Sequence, residues 1–184
     1  MTNTLKSRTM PVIISCILLS CGGGKNPSSE MPAASKEAFQ GRIDSMELKM
    51  KDSKSFDKTL AASAGKAYSD FAFSFPDEIK AAEYLFKAAE ISSGLNEAQQ
   101  AIVYYKTICD KYPQFEKISF CLFAQGFVYE TQLKDLEKAK ELYQTVIDKY
   151  PDSKLASDAK FLIENLGKSD EELIKEFEKK NKKI

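Results

Sequence analysis

The chain has 184 residues, 43% of them hydrophobic and 29% charged, which is enough for one domain with a core and not comfortably enough for two. Lysine and arginine balance aspartate and glutamate at 27 each, and no basic stripe supplies what a phosphate backbone requires, so nucleic-acid binding is not expected. Histidine is absent, which removes the commonest general base and metal ligand together with the serine–histidine and cysteine–histidine nucleophiles. The expectation is therefore a protein that is not an enzyme, with no catalytic residue, no metal and no cofactor.

In chain order, Met1–Thr9 carries Lys6 and Arg8 and no acid, and Met10–Leu19 is almost wholly apolar. A positive segment followed by an apolar one this short reads as a secretory signal, residues 1–20, and not as a membrane span. Leu18-Leu19-Ser20-Cys21 places an aliphatic residue at −3 and a small one at −1 ahead of a cysteine. That is the pattern of a lipobox, in which the Cys21 thiol receives diacylglycerol and cleavage makes it the new N-terminus. The alternative is a conventional signal with a cysteine near its cut; Cys16 is discarded in either case. Cleavage leaves 25 basic against 27 acidic residues. Residues 21–35 follow as a flexible tether, rich in Gly, Ser and Pro and too poor in large apolar side chains to fold. A helix is expected over 36–51, with Phe39, Ile43, Met46 and Met50 roughly on one side.

The rest of the chain, within a domain of residues 36–184, is a repeat. An aromatic-proline pair recurs as Phe75-Pro76, Tyr112-Pro113 and Tyr150-Pro151, at spacings of 37 and 38 residues. Ala64, Ala101 and Ala139 stand twelve residues before each proline, and Tyr68, Tyr105 and Tyr143 stand eight before. Phe86, Phe123 and Phe161 stand ten after. Ala and Tyr at i and i+4 share a helical face, the small residue admitting a neighbouring helix and the large one filling the space beside it. Proline ends each segment, because the residue before it resists the helical conformation. Lys111 and Lys149 suit the end of a helix and Asp77 and Asp152 suit the start of the next. The pattern predicts helices at about 57–74, 77–93, 97–111, 115–132, 136–149 and 152–166. A last one at about 170–181 opens on the capping-box pair Ser169 and Glu172 after Gly167. Its apolar stripe is Leu173, Ile174 and Phe177, which suits a cap on an open solenoid end. The run Lys179-Lys180-Asn181-Lys182-Lys183 reads as a solvated terminus.

These segments resemble the second helix of a tetratricopeptide repeat and its closing proline. Gly126 and Tyr129 match the small and aromatic positions of the first helix, although Ala139 comes one residue later than the consensus of about 34 residues predicts. The longer period and the Tyr-Pro-Asp-Ser phrase at 150–153 are similar to envelope lipoproteins of the BamD type. The stretch from Phe75 to Glu178, with Asn165-Leu166-Gly167-Lys168-Ser169, is similar to short tetratricopeptide lipoproteins of the Bacteroidota. The resemblance implies an all-α solenoid of three to four helical hairpins with a C-terminal capping helix, anchored by lipid to the outer membrane. Some Bacteroidota lipoproteins reach the cell surface through acidic residues clustered just after the cysteine. Here the first acid is Glu30, which implies the periplasmic face.

Repeats of this class present a groove lined by the first helix of each hairpin. Carried over onto this sequence, the groove positions are Phe120, Phe123, Phe127 and Glu130 in one repeat and Glu83, Phe86 and Glu90 in the other. The alternative is that the phenylalanines pack between successive helices. Cys109 and Cys121 fall about equally far from the turn at Pro113–Phe115 and are either bridged or two small buried hydrophobes. Asp77-Glu78 and Glu171-Glu172 are read as helix starts and not as catalytic carboxylates. The expected function is a lipid-anchored envelope adaptor or scaffold that binds a peptide segment or another envelope protein. Alternatives are an accessory subunit of an outer-membrane protein assembly complex, or a factor acting on cell wall or glycan.

Overall fold

The computed structural model describes residues 35–181. The expected signal, the candidate lipidation residue Cys21 and the expected tether up to residue 34 lie outside the described residues, as do Lys182 and Lys183. Eight helices follow in order among the described residues: α1 (Lys36–Asp52), α2 (Lys58–Ser74), α3 (Ala81–Gly94), α4 (Ala98–Lys111), α5 (Ile118–Val128), α6 (Leu136–Lys149), α7 (Lys154–Asn165) and α8 (Asp170–Asn181). A π turn, Tyr129–Leu133, closes α5. Successive helices pair as hairpins, α1 with α2, α3 with α4 and α5 with α6, and each hairpin packs on the next. The fold is an all-α tetratricopeptide-like solenoid.

Local chemistry sets where the helices begin. Asp57 Oδ1 accepts from the amides of Thr59 and Leu60 at 2.9 and 3.0 Å, Asp135 Oδ1 from Lys138 at 3.1 Å, and Ser153 Oγ from Ala156 at 3.2 Å. These side chains satisfy amide donors that a helix start leaves open. The start of α8 is a full capping box: Ser169 N donates to Glu172 Oε2 at 2.9 Å and Glu172 N to Ser169 Oγ at 3.3 Å. Gly167, at φ 78°, ends α7 in the left-handed conformation that glycine adopts freely.

The starts of α3 and α5 differ from the sequence expectation. They begin at Ala81 and Ile118 instead of about 77 and 115. After Pro76 the chain makes two linked turns, Glu78 N donating to Phe75 O and Ala81 N to Glu78 O; after Pro113 it repeats them with Phe115 and Ile118. Two residues after each proline stand Glu78, Phe115 and Ser153, and of these only Ser153 caps a helix. Hence α7 starts soon after Pro151 while α3 and α5 start late. Asp77 accordingly sits in a loop, and Asp152 falls just outside α7.

The repeat phase read from the sequence is the core. Ala64, Ala101 and Ala139 have no exposed surface, and Tyr68, Tyr105 and Tyr143 are buried among the helices that flank them. The corners are tied as well, since Tyr112 Oη donates to the carbonyl of Pro76 at 2.9 Å. In α1, Ile43 is buried and Phe39 and Met46 are half-buried against α2, while Met50 is exposed. The π turn accounts for the late Ala139. Lys134 N closes on Tyr129 O, a five-residue step in place of four, and Lys134 at φ 57° then turns the chain into α6. At the C-terminal end α8 is held to the end of α7 by the Lys168–Glu176 ion pair (2.8 Å). It covers that end loosely: Leu173 is half-buried and Ile174 and Phe161 remain exposed.

Candidate functional site

Helices α3 and α5, the first helices of successive hairpins, flank a shallow cavity of about 330 Å³. The last turns of α3 contribute Glu90, Ser93 and Gly94; α5 contributes Phe120, Phe123, Ala124 and Phe127; Tyr105 from α4 also lines it. Phe120 and Phe127 are 37% and 47% exposed. Phe123, one turn from each, is half-buried and packs its ring 5.4 Å from that of Tyr143. Four of the seven candidates (Glu90, Phe120, Phe123 and Phe127) are thus brought together in one place.

The other three are engaged elsewhere. Phe86 is only 6% exposed and does not line the cavity. Its ring lies 5.5 Å from Phe120, 5.9 Å from Phe115 and 6.3 Å from Tyr105, with Lys117 Nζ 4.6 Å from its centroid. It belongs to the core beneath the groove, which corrects its assignment as a groove residue: the late start of α5 lays Phe115 and Lys117 over it. Glu83 receives Lys117 Nζ on both oxygens at 3.2 Å. Glu130 accepts from Tyr143 Oη at 2.7 Å. Neither acid lines the cavity, and Glu90 alone of the three does. Burial raises the Glu90 pKa above the ordinary carboxylate value, with Lys117 opposing and Glu83 adding to the shift.

Tyr105, Ser93, Gly94 and Ala124 complete the lining and were not among the sequence candidates. The repeat phase marked Tyr105 as core, and buried it is, but one edge of it also meets the cavity. Burial raises its phenol pKa, so it remains a hydrogen-bond donor. Cys109 on α4 and Cys121 on α5 are free thiols. Burial raises both thiol pKa values, and Gln125 Nε2 lies 3.6 Å from Cys109 Sγ. Among the described residues no cluster of Cys, Asp and Glu is arranged to hold a metal ion, and no helix is long and apolar enough to cross a membrane.

The tetratricopeptide repeat family matches residues 83–114 and 120–153. The chain carries tetratricopeptide repeats. The two matched segments are α3 with α4 and α5 with α6, the hairpins whose first helices form the cavity, so the groove falls within the tetratricopeptide part of the molecule. Modules of this class are in general non-catalytic and expose extended surfaces that bind other proteins. No curated protein matches the chain.

Proposed function

We propose that this chain is a lipid-anchored adaptor of the cell envelope, held through Cys21 at the periplasmic face of the outer membrane, which engages a segment of another envelope protein in the α3–α5 groove. The observation that carries the binding role is the aromatic strip. Phe120 and Phe127 stand exposed on either side of Phe123, on one face of α5 and within a tetratricopeptide hairpin. Large exposed aromatics grouped in this way mark interaction surfaces more often than bare protein exterior, and aromatic anchors dominate the energetics of most interfaces. The anchor rests on the lipobox pattern at Leu18–Cys21 and the apolar segment before it.

Site-specific photo-crosslinking in intact membranes tests the reading. A photoreactive side chain at position 127 should give a discrete adduct with one partner, and the same group at position 106, exposed on α4 and outside the cavity lining, should not. Adding Phe123→Ala should reduce the adduct. Equal adducts from both positions would defeat the groove assignment.

A further inference from the structure

The three phase-equivalent tyrosines do not end alike. Tyr68 Oη donates to Glu47 Oε1 at 2.8 Å and Tyr143 Oη donates to Glu130 Oε2 at 2.7 Å. Glu47 lies on the first helix of its tyrosine's hairpin, and Glu130 on the π turn that closes the first helix of its own. The position that matches Glu130, seven residues after the repeat phenylalanine, is Ser93 in the middle hairpin. Ser93 is too short to play the same part, and its carbonyl already accepts from Gln132 Nε2 at 3.0 Å. Tyr105 is only 2% exposed, yet its hydroxyl bonds no described residue, and it lines the α3–α5 cavity. Glu90, nearly one turn before Ser93, also lines that cavity and accepts no hydrogen bond from a described residue. Lys117, whose charge acts on Glu90, is held by both oxygens of Glu83.

The middle hairpin therefore brings one unbonded donor and one unbonded carboxylate to the same aromatic-walled cavity. Glu90 is exposed to solvent in the free molecule, so a segment that covered the cavity would have to give both groups partners in place of water, as buried polar groups in native proteins nearly always have. An acidic side chain there would be repelled by Glu90. A purely apolar one would strip water from Glu90 and return nothing to it. A basic side chain suits every wall: its methylene stem lies along phenylalanine rings while its head reaches a carboxylate, and a cation is attracted to aromatic faces besides. Resting on the groove reading above, we infer that the cavity is a pocket for a lysine or arginine of the bound segment. The cationic head lies on Glu90, the stem lies against Phe120, Phe123 and Phe127, and a main-chain carbonyl of the segment accepts from Tyr105 Oη.

The test uses the full-length protein and four fluorescent hexapeptides that differ only at one central residue: lysine, arginine, norleucine or glutamate. Binding is followed by fluorescence anisotropy at neutral pH. The lysine and arginine peptides should bind at least about tenfold more tightly than the norleucine peptide, a difference typical of one well-placed charged contact. Glu90→Gln should reduce that ratio to within about twofold. Tyr105→Phe should weaken all binding peptides by a similar factor and leave the ratio alone, as loss of a main-chain contact requires. Thermal melts of both variants check that the fold persists. A norleucine peptide that binds as well as lysine, or a ratio untouched by Glu90→Gln, overturns the basic-residue assignment. If the peptides bind equally and Phe127→Ala still abolishes binding, the groove stands and only this inference fails. If none of the four binds, the groove reading fails and takes the inference with it.

Discussion

The ring of Tyr143 lies so close to Gly126 that a Cβ on that glycine would stand 2.7 Å from Cε1 and 2.9 Å from Cδ1. The ring has nowhere to go. It is fully buried, its hydroxyl is held by Glu130 and Phe123 packs against it. This contact seats α6 against α5. Glycine in a helix interior ordinarily weakens it by about 0.5–1 kcal/mol relative to alanine, so its presence here reflects the space that Tyr143 takes.

Gly126→Ala should therefore destabilise the protein by about 1–3 kcal/mol, the usual range for overpacking a tight core. Tyr143→Ala should cost about 3–5 kcal/mol. The sign of the first change should reverse in the background of the second, where alanine at 126 meets no ring and improves helix propensity. Urea denaturation of the two single variants and the double variant measures the coupling. Additive effects would contradict the contact.

Phe86 and Phe127 should separate cleanly. Phe86→Ala removes a core ring and should cost about 3–5 kcal/mol. Phe127→Ala removes a half-exposed one and should change stability by no more than about 0.5 kcal/mol, while weakening segment binding. Phe123→Ala should fall between, because its ring both lines the cavity and supports Tyr143. Thermal melts paired with binding measurements on the three variants check the order.

Cys21→Ala tests the anchor. Several acyl chains hold a protein durably where one does so marginally, each buried methylene contributing about 0.8 kcal/mol. The variant should incorporate no lipid label and leave the outer-membrane fraction. Unchanged partitioning would rule out the lipobox.

Glu47 gives a pH dependence. It accepts from Lys87 Nζ and from Tyr68 Oη, both at 2.8 Å, and these bonds, Lys87 first, hold its pKa below the ordinary 4.5. A depressed carboxylate pKa adds stability above the unfolded value and loses it as pH falls through the folded one. Glu47→Gln should thus be less stable than the native protein at pH 7, by no more than about 1 kcal/mol because the pair is half exposed and screened. The difference should shrink steadily below about pH 4.5. A difference that persists undiminished in acid would assign the effect to packing. Parallel urea titrations across that range decide it.

What the sequence made legible was the phase. Alanine and tyrosine at fixed distances from each proline fall on buried faces because helical periodicity is a property of one segment at a time. The cavity was less legible, because its members depend on neighbouring segments. Phe86, Phe123 and Phe161 hold the same repeat position, yet Phe86 is buried, Phe123 half-buried and Phe161 61% exposed. Phe86 is covered by Phe115 and Phe120 of the following hairpin, whereas the loosely seated α8 leaves Phe161 open. Glu83 and Glu130 looked like open groove charges because Lys117 and Tyr143, which engage them, come from other elements. The late starts of α3 and α5 were hidden in the same way, since a proline announces a turn without saying how many turns follow it.

The wide turn at Tyr129–Leu133 bears on which length changes this chain tolerates. An extra residue inside an ordinary α-helix swings everything beyond it by about 100° around the axis, and a hairpin partner downstream would be aimed away from its seat. A five-residue closure absorbs that residue within a single turn, leaving Gly126 and Tyr143 facing each other as they would in a chain one residue shorter. Residues 129–134 are therefore the hairpin's expansion joint. Trimming one residue there should convert the π turn to an ordinary one and keep α6 docked, whereas the same deletion two turns earlier in α5 should dislodge it.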